Sequence, residues 1–144
     1  MSLSQETISL KIADSTDSYV VIDLINELYN YSSYSKVAPF DRDFAKDTFI
    51  ESLSRPDLCT VLLRVDSVVC GVLCMSVSPS PANPSISFAV ELAFWIRPEY
   101  RTTKTLKTLL ETYYHWAKLQ GCTAAYVGKI TKTRAPETYY IRKV

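Results

Sequence analysis

Residues 90–121, VELAFWIRPEYRTTKTLKTLLETYYHWAKLQG, constrain the fold more than any other stretch. They read as a strand ending at Pro98, a turn rich in Thr, Lys and Arg, and a long amphipathic helix closed by Gly121. A strand feeding a helix through a polar turn aims the helix's unsatisfied N–H groups, and the positive end of its dipole, beyond the strand. Such a turn is a ready anion site of the kind that holds phosphates in nucleotide-binding folds. Turns of that kind normally contain glycine, and this one has none.

Around this stretch the other elements follow from periodicity. Ile8, Leu10 and Ile12 alternate with polar residues, predicting a strand over residues 7–13. Asp14 to Asp17 offers helix caps, and Val21, Leu24, Ile25 and Leu28 recur at helical spacing as far as about Ser33. The tyrosine- and serine-rich run that follows breaks at Pro39; its aromatics either line a pocket or pack the helix end. Asp41 or Asp43 caps a second helix reaching Arg55, with Ala45, Phe49 and Leu53 facing inward. Val61 to Val65 and Val68 to Val77 form a hairpin about Asp66-Ser67, with Gly71 marking close packing or a bulge. A proline-rich loop, residues 78–85, precedes a strand from Ile86 to Ile96.

Strict alternation in that last strand places Ile86, Phe88, Val90, Leu92, Phe94 and Ile96 on one face. The opposite face then carries Glu91, Trp95 and Arg97 together. The long helix spans Thr103 to Gln120 and buries Leu106, Leu109, Leu110, Tyr113 and Ala117; strands over residues 124–130 and 138–144 close the chain. The order β-α-α-β-β-β-α-β-β predicts an α/β fold, a mixed, mostly antiparallel central sheet flanked by helices.

The 144 residues fit one domain, 1–144. Apolar residues at 47% and charged residues at 22% exclude a disordered chain, and a net charge of +1 draws it toward neither nucleic acid nor membranes. No apolar run approaches the roughly 20 residues that span a bilayer, and the N-terminus lacks the signature of a signal peptide. Cys59, Cys70, Cys74 and Cys122 form no CxxC pair and have one histidine for company, so free thiols are expected and a zinc or other metal site is not. The expected compartment is a reducing cytoplasm, of a cell or an infected host.

This element order, with PEYR at the strand-to-helix junction, resembles the GCN5-related N-acetyltransferase superfamily, enzymes that use acetyl-coenzyme A. The resemblance covers nearly the whole chain and is best over ELAFWIRPEYR and LKTLLETYYHWAKLQGC. It implies a bulged fourth strand, a splay beside it that takes pantetheine, and an Arg/Gln-x-x-Gly-x-Gly/Ala loop that binds pyrophosphate. Arg101 matches the leading Arg, while Lys104 and Leu106 stand in the glycine and Gly/Ala positions and Thr102 where another glycine is common. The resemblance thus implies acetyl-coenzyme A held by the backbone near Trp95, Ile96 and Arg97 and by Arg101, Thr102, Thr103, Lys104, Leu106 and Lys107. The family's fourth helix, bearing an Asn and an acid Tyr, has no room in the seven residues TKTRAPE.

Acetyl transfer to an amine needs a neutral nucleophile, a polarised carbonyl and a proton for the leaving thiolate. Glu91 is the candidate base, its alternative being a structural carboxylate paired with a neighbouring Arg or Lys. Tyr139 or Tyr140 is the candidate replacement acid, or packs at a strand end; His115 reads as a surface or packing residue. Two readings follow. One is an acetyltransferase acting on a primary amine, a small molecule or a protein lysine, with full or reduced activity. The other is a catalytically inactive module, phage-like in its trimmed core, acting as a homodimer or on a protein partner through the edge left uncovered.

Overall fold

The computed structural model describes residues 6–128 and 139–144, with Tyr139 and Tyr140 entering by their backbone alone. Six strands form one sheet in sequential order: β1 (Ile8–Ile12), β2 (Leu58–Val65), β3 (Val68–Pro79), β4 (Ser87–Ile96), β5 (Ala124–Gly128) and β6 (Tyr139–Lys143). Every pairing is antiparallel except β4 with β5, which the crossover through the long helix makes parallel. The helices are α1 (Ser18–Tyr31), α2 (Arg42–Ser52) and α3 (Thr103–Leu119). The fold is the expected mixed α/β sheet with flanking helices. The expected strand end at Lys129–Ile130 and the loop containing Pro136 lie outside the described residues.

The sheet separates two apolar layers. On one face α3 packs Leu109, Tyr113 and Ala117 against Leu63, Leu73, Met75, Phe94 and Ile96. On the other, α1 and α2 pack Val21, Ile22, Leu24 and Phe49 against Leu62, Val72 and Trp95. The Asp66-Ser67 hairpin needs a left-handed backbone at both central residues, and has it, at φ of 51° and 69°.

Gly71 meets both of its expectations. The register skips Cys70 between Leu63 and Arg64, which is a bulge. A side chain at Gly71 would also stand 3.1 Å from the Trp95 carbonyl oxygen. Two helical expectations need correction. α2 stops at Ser52, so Leu53 falls beyond the helix and is half-exposed. In α3 the fully buried stripe is Thr105, Leu109, Tyr113 and Ala117, while Leu106 is 39% exposed. A stripe of strict i, i+4 spacing passes through the threonine and leaves the leucine beside it.

Candidate functional site

The bulge in β4 organises the site. Cys74 pairs with Ala93 and Met75 with Glu91, so Leu92 has no partner across β3. One extra residue reverses the side-chain alternation of everything beyond it. The expected single face of Glu91, Trp95 and Arg97 is therefore corrected. Glu91 turns to the α3 face with Met75, and Trp95 turns to the α1 face, where Arg97 also pairs with a carboxylate of α1.

Past the bulge, β4 also parts from β5. The parallel pairing runs from Phe88 with Ala124 to Val90 with Tyr126 and stops there. From Glu91 onward no described strand pairs with that edge of β4, while β5 goes on to Gly128 with β6 as its partner. At the fork the Gly128 N–H donates to Glu91 Oε1 at 2.8 Å. A side chain at position 128 would come within 2.9 Å of that oxygen and would push the carboxylate from this position.

Glu91 Oε2 is buried without a hydrogen-bond partner among the described residues. No described Arg or Lys pairs with this carboxylate. Burial pushes its pKa up to about 7, against the smaller opposing effect of the Gly128 N–H. Tyr113, whose hydroxyl donates to the Tyr126 carbonyl at 2.6 Å, is raised above its ordinary value, chiefly by burial.

The fork opens into a cavity of about 550 Å³ that reaches from Glu91 and Gly128 along β4 to the N-terminus of α3. Leu28 and Tyr31 of α1 form its opposite wall. Of the tyrosine-rich run, Tyr31 reaches the cavity, with its ring 5.5 Å from that of Trp95. Tyr29 instead packs on Phe40 and donates to the Ala38 carbonyl.

The turn before α3 replaces glycine with hydroxyls. Thr102 caps the helix: its Oγ1 accepts from the Thr105 N–H at 3.1 Å, and its own N–H donates to Thr105 Oγ1 at 3.0 Å. Two of the helix's first donors are thus consumed internally. The N–H groups of Thr103 and Lys104 have no partner among the described residues and remain to face an anion.

Of the residues assigned to the cofactor, Trp95, Ile96, Arg101, Thr102, Thr103 and Leu106 line the cavity. Arg101 does so in an unexpected pose. Its guanidinium lies 4.5 Å over the Trp95 ring and its Nε donates to the Ile96 carbonyl at 2.7 Å, so it secures the turn to β4. Arg97 is off the cavity, paired with Glu27 at 3.1 Å, and Glu27 also accepts from Trp95 Nε1. Lys104 is exposed, and Lys107 is exposed beside Glu111 at 3.8 Å. Asp57 pairs with Arg55, and His115 is exposed. The side chains of Tyr139 and Tyr140 lie outside the described residues.

Sequence reasoning missed Gly128, Leu28 and the unpaired position of Leu92. A signal for the first was present: Gly128 is one of three glycines in the chain and stands in a strand pattern. The four cysteines are free, as expected. Among the described residues there is no His, Cys, Asp and Glu cluster able to hold a metal, and no helix long and apolar enough to cross a membrane.

The sequence profile of the acetyltransferase (GNAT) family matches residues 22–139. No curated protein sequence matches the chain. Among solved structures, the chain is similar to aminoglycoside N-acetyltransferase AAC(6')-Iy in complex with a bisubstrate analogue of coenzyme A and acetylneamine. That match has TM-score 0.70 and 15% identity, over 89% of this chain and 82% of that one. A predicted acetyltransferase from Clostridium acetobutylicum with acetyl-coenzyme A matches at TM-score 0.67 and 12% identity, over 83% and 79% of the two chains. A ribosomal-protein-alanine N-acetyltransferase from Brucella melitensis matches at 0.59 and 14%, over 90% and 83%. At these identities the likeness is one of fold.

Proposed function

The chain belongs to the acetyltransferase (GNAT) family, and on that premise we propose that it transfers the acetyl group of acetyl-coenzyme A to a primary amine, with Glu91 as the base. The observation that carries this reading is the fork between β4 and β5, with a buried carboxylate oxygen at its apex that has no partner among the described residues.

The residues present fit the cosubstrate. The unpaired edge of β4 beyond Val90 offers backbone groups to the amides of a pantetheine arm, as an extra strand would. The Thr103 and Lys104 N–H groups, at the positive end of α3, fit a pyrophosphate. The glycine-free loop is compatible with this, since its threonine side chains fold back into the cap and Leu106 stays at the cavity wall. Acetyl-coenzyme A supplies an acyl group activated as a thioester.

A primary amine is protonated at neutral pH and must lose a proton before it can attack. Burial raises the Glu91 pKa to about 7, close to where a base is needed, and its Oε2, without a partner among the described residues, takes that proton directly or through a water. Transfer then forms one N–C bond and breaks one C–S bond. The second proton shed by the nitrogen neutralises the thiolate, so the sum is an amide, a thiol and one proton released.

Calorimetric titration with acetyl-coenzyme A, followed by a thiol-release assay with added amines, tests the reading. Micromolar binding and amine-dependent thiol release are expected. No binding up to millimolar concentration overturns it. Binding with no turnover of any amine would favour the inactive module instead.

A further inference from the structure

The acceptor end of the cavity has a chemistry of its own. Its walls are Leu28 and Tyr31 of α1, Leu92 at the bulge, and Trp95 beneath Tyr31. Leu92 is 61% exposed and Tyr31 56% exposed, so apolar surface stands open at the mouth beside Glu91. Trp95 is buried beneath Tyr31, their rings tilted by 51°, so Tyr31 is the member of the pair that presents open aromatic surface to a ligand.

Charge is arranged as selectively. Glu91 is the one carboxylate among the described residues of the lining. Glu27, the next carboxylate on α1, is neutralised by Arg97 and spends a further lone pair on Trp95 Nε1. Arg101 places a full positive charge on the same wall. A ligand with several ammonium groups would enter this cavity with one carboxylate among the described lining residues as its partner and a guanidinium opposing it. An uncompensated charge in an apolar site is costly.

We propose that the acceptor is an arylalkylamine, a single primary amine on a short chain bearing an aromatic ring, with Tyr31 as the specificity-determining residue. The proposal rests on the N-acetyltransferase reading above. The amine nitrogen meets Glu91 at the fork, and the ring lies against Tyr31 and Leu28 at the mouth. Polyamines and aminoglycosides, with several charges and no apolar body, are rejected. Peptide lysines lack the ring that Tyr31 engages.

The test measures kcat/KM by thiol release for 2-phenylethylamine, tryptamine, spermidine, kanamycin and a lysine-containing peptide, with calorimetry of acetyl-coenzyme A on the same sample. The two arylalkylamines should exceed the others by about 100-fold. Tyr31→Ala should raise KM for 2-phenylethylamine about tenfold while leaving the acetyl-coenzyme A dissociation constant unchanged, and Tyr31→Phe should restore the parental KM. Kanamycin, spermidine or the peptide matching the arylalkylamines overturns the proposal, as does a Tyr31→Ala variant with parental KM. If acetyl-coenzyme A binds and no amine is turned over, the arylalkylamine assignment is wrong although the cosubstrate site stands. If acetyl-coenzyme A itself fails to bind, the reading beneath it falls as well.

Discussion

Glu91 concentrates the conflict between stability and function in one side chain. Among the described residues its carboxyl has one donor at the fork, the Gly128 N–H, for two oxygens. Because its folded-state pKa, about 7, lies above the 4.5 of the free side chain, folding favours the protonated form. The carboxyl's contribution is therefore fully favourable below pH 4.5 and is lost as the pH climbs through 7. Ionisation at pH 8 costs roughly 3 kcal/mol by linkage. Glu91→Gln keeps the acceptor for Gly128 and cannot ionise. It should be more stable than the parent at pH 8, by about 2 kcal/mol in urea unfolding, with the gap closing toward pH 5. The same variant should lose about 100-fold in kcat, and the parent's activity should rise with pH through about 7. Equal stability at both pH values would mean that the carboxyl is solvated rather than stranded.

At the scale of the element, α3 shows how a helix start can be organised without glycine. Thr102 and Thr105 form a reciprocal cap, and Thr105 Oγ1 also donates to the Tyr100 carbonyl at 2.7 Å. One buried hydroxyl thereby joins the short 3-10 turn at Pro98–Tyr100 to the helix it precedes. Rigidity from this link takes the place of the backbone freedom that glycines would give. Thr105→Val keeps the volume but removes the hydroxyl, leaving the Thr102 N–H and the Tyr100 carbonyl without it. Thermal and urea unfolding should show a loss of about 1–2 kcal/mol. Acetyl-coenzyme A affinity should fall with it, because the Thr103 and Lys104 amides are aimed by this cap. Parental affinity in a destabilised Thr105→Val would separate the cap from the anion site.

At the scale of the molecule, the sheet is a partition that delivers one residue to each side of a single site. The bulge at Leu92 sends Glu91 to the α3 layer and Trp95 to the α1 layer, and the cavity passes between them. Glu27 then ties α1 to β4 through both Trp95 and Arg97, so the wall carrying Leu28 and Tyr31 is anchored to the strand carrying the base. Gly71 lets β3 approach β4 where this anchorage begins. Gly71→Ala would press a methyl group against the Trp95 carbonyl and Leu63, at 3.1 and 3.2 Å. The carbonyl is backbone and cannot step aside cheaply, so a loss of about 1–3 kcal/mol in unfolding free energy is expected. An unchanged midpoint would show that the sheet centre yields more easily than its packing suggests.

Period and punctuation in the sequence determined the element order, both hairpin residues at Asp66-Ser67 and the strand-turn-helix at Pro98. These are local: an alternating strand, a cap or a proline writes its signal within a few residues. The family was legible for the same reason, since it rests on element order and on one junction. What only the tertiary structure decided was which residues meet. Alternation put Glu91 beside Trp95 and Arg97, and a single unpaired residue, set by the pairing of β4 against β3, moved it to the opposite face. Apolar spacing chose Leu106 for the core, while packing against the sheet chose Thr105. The family's loop pattern nominated Arg101 for the cofactor, and the ring of Trp95 and the Ile96 carbonyl claimed its guanidinium. Register, helix rotation and the competition of partners for one side chain are set by contacts between residues far apart in sequence, and local pattern carries no record of them.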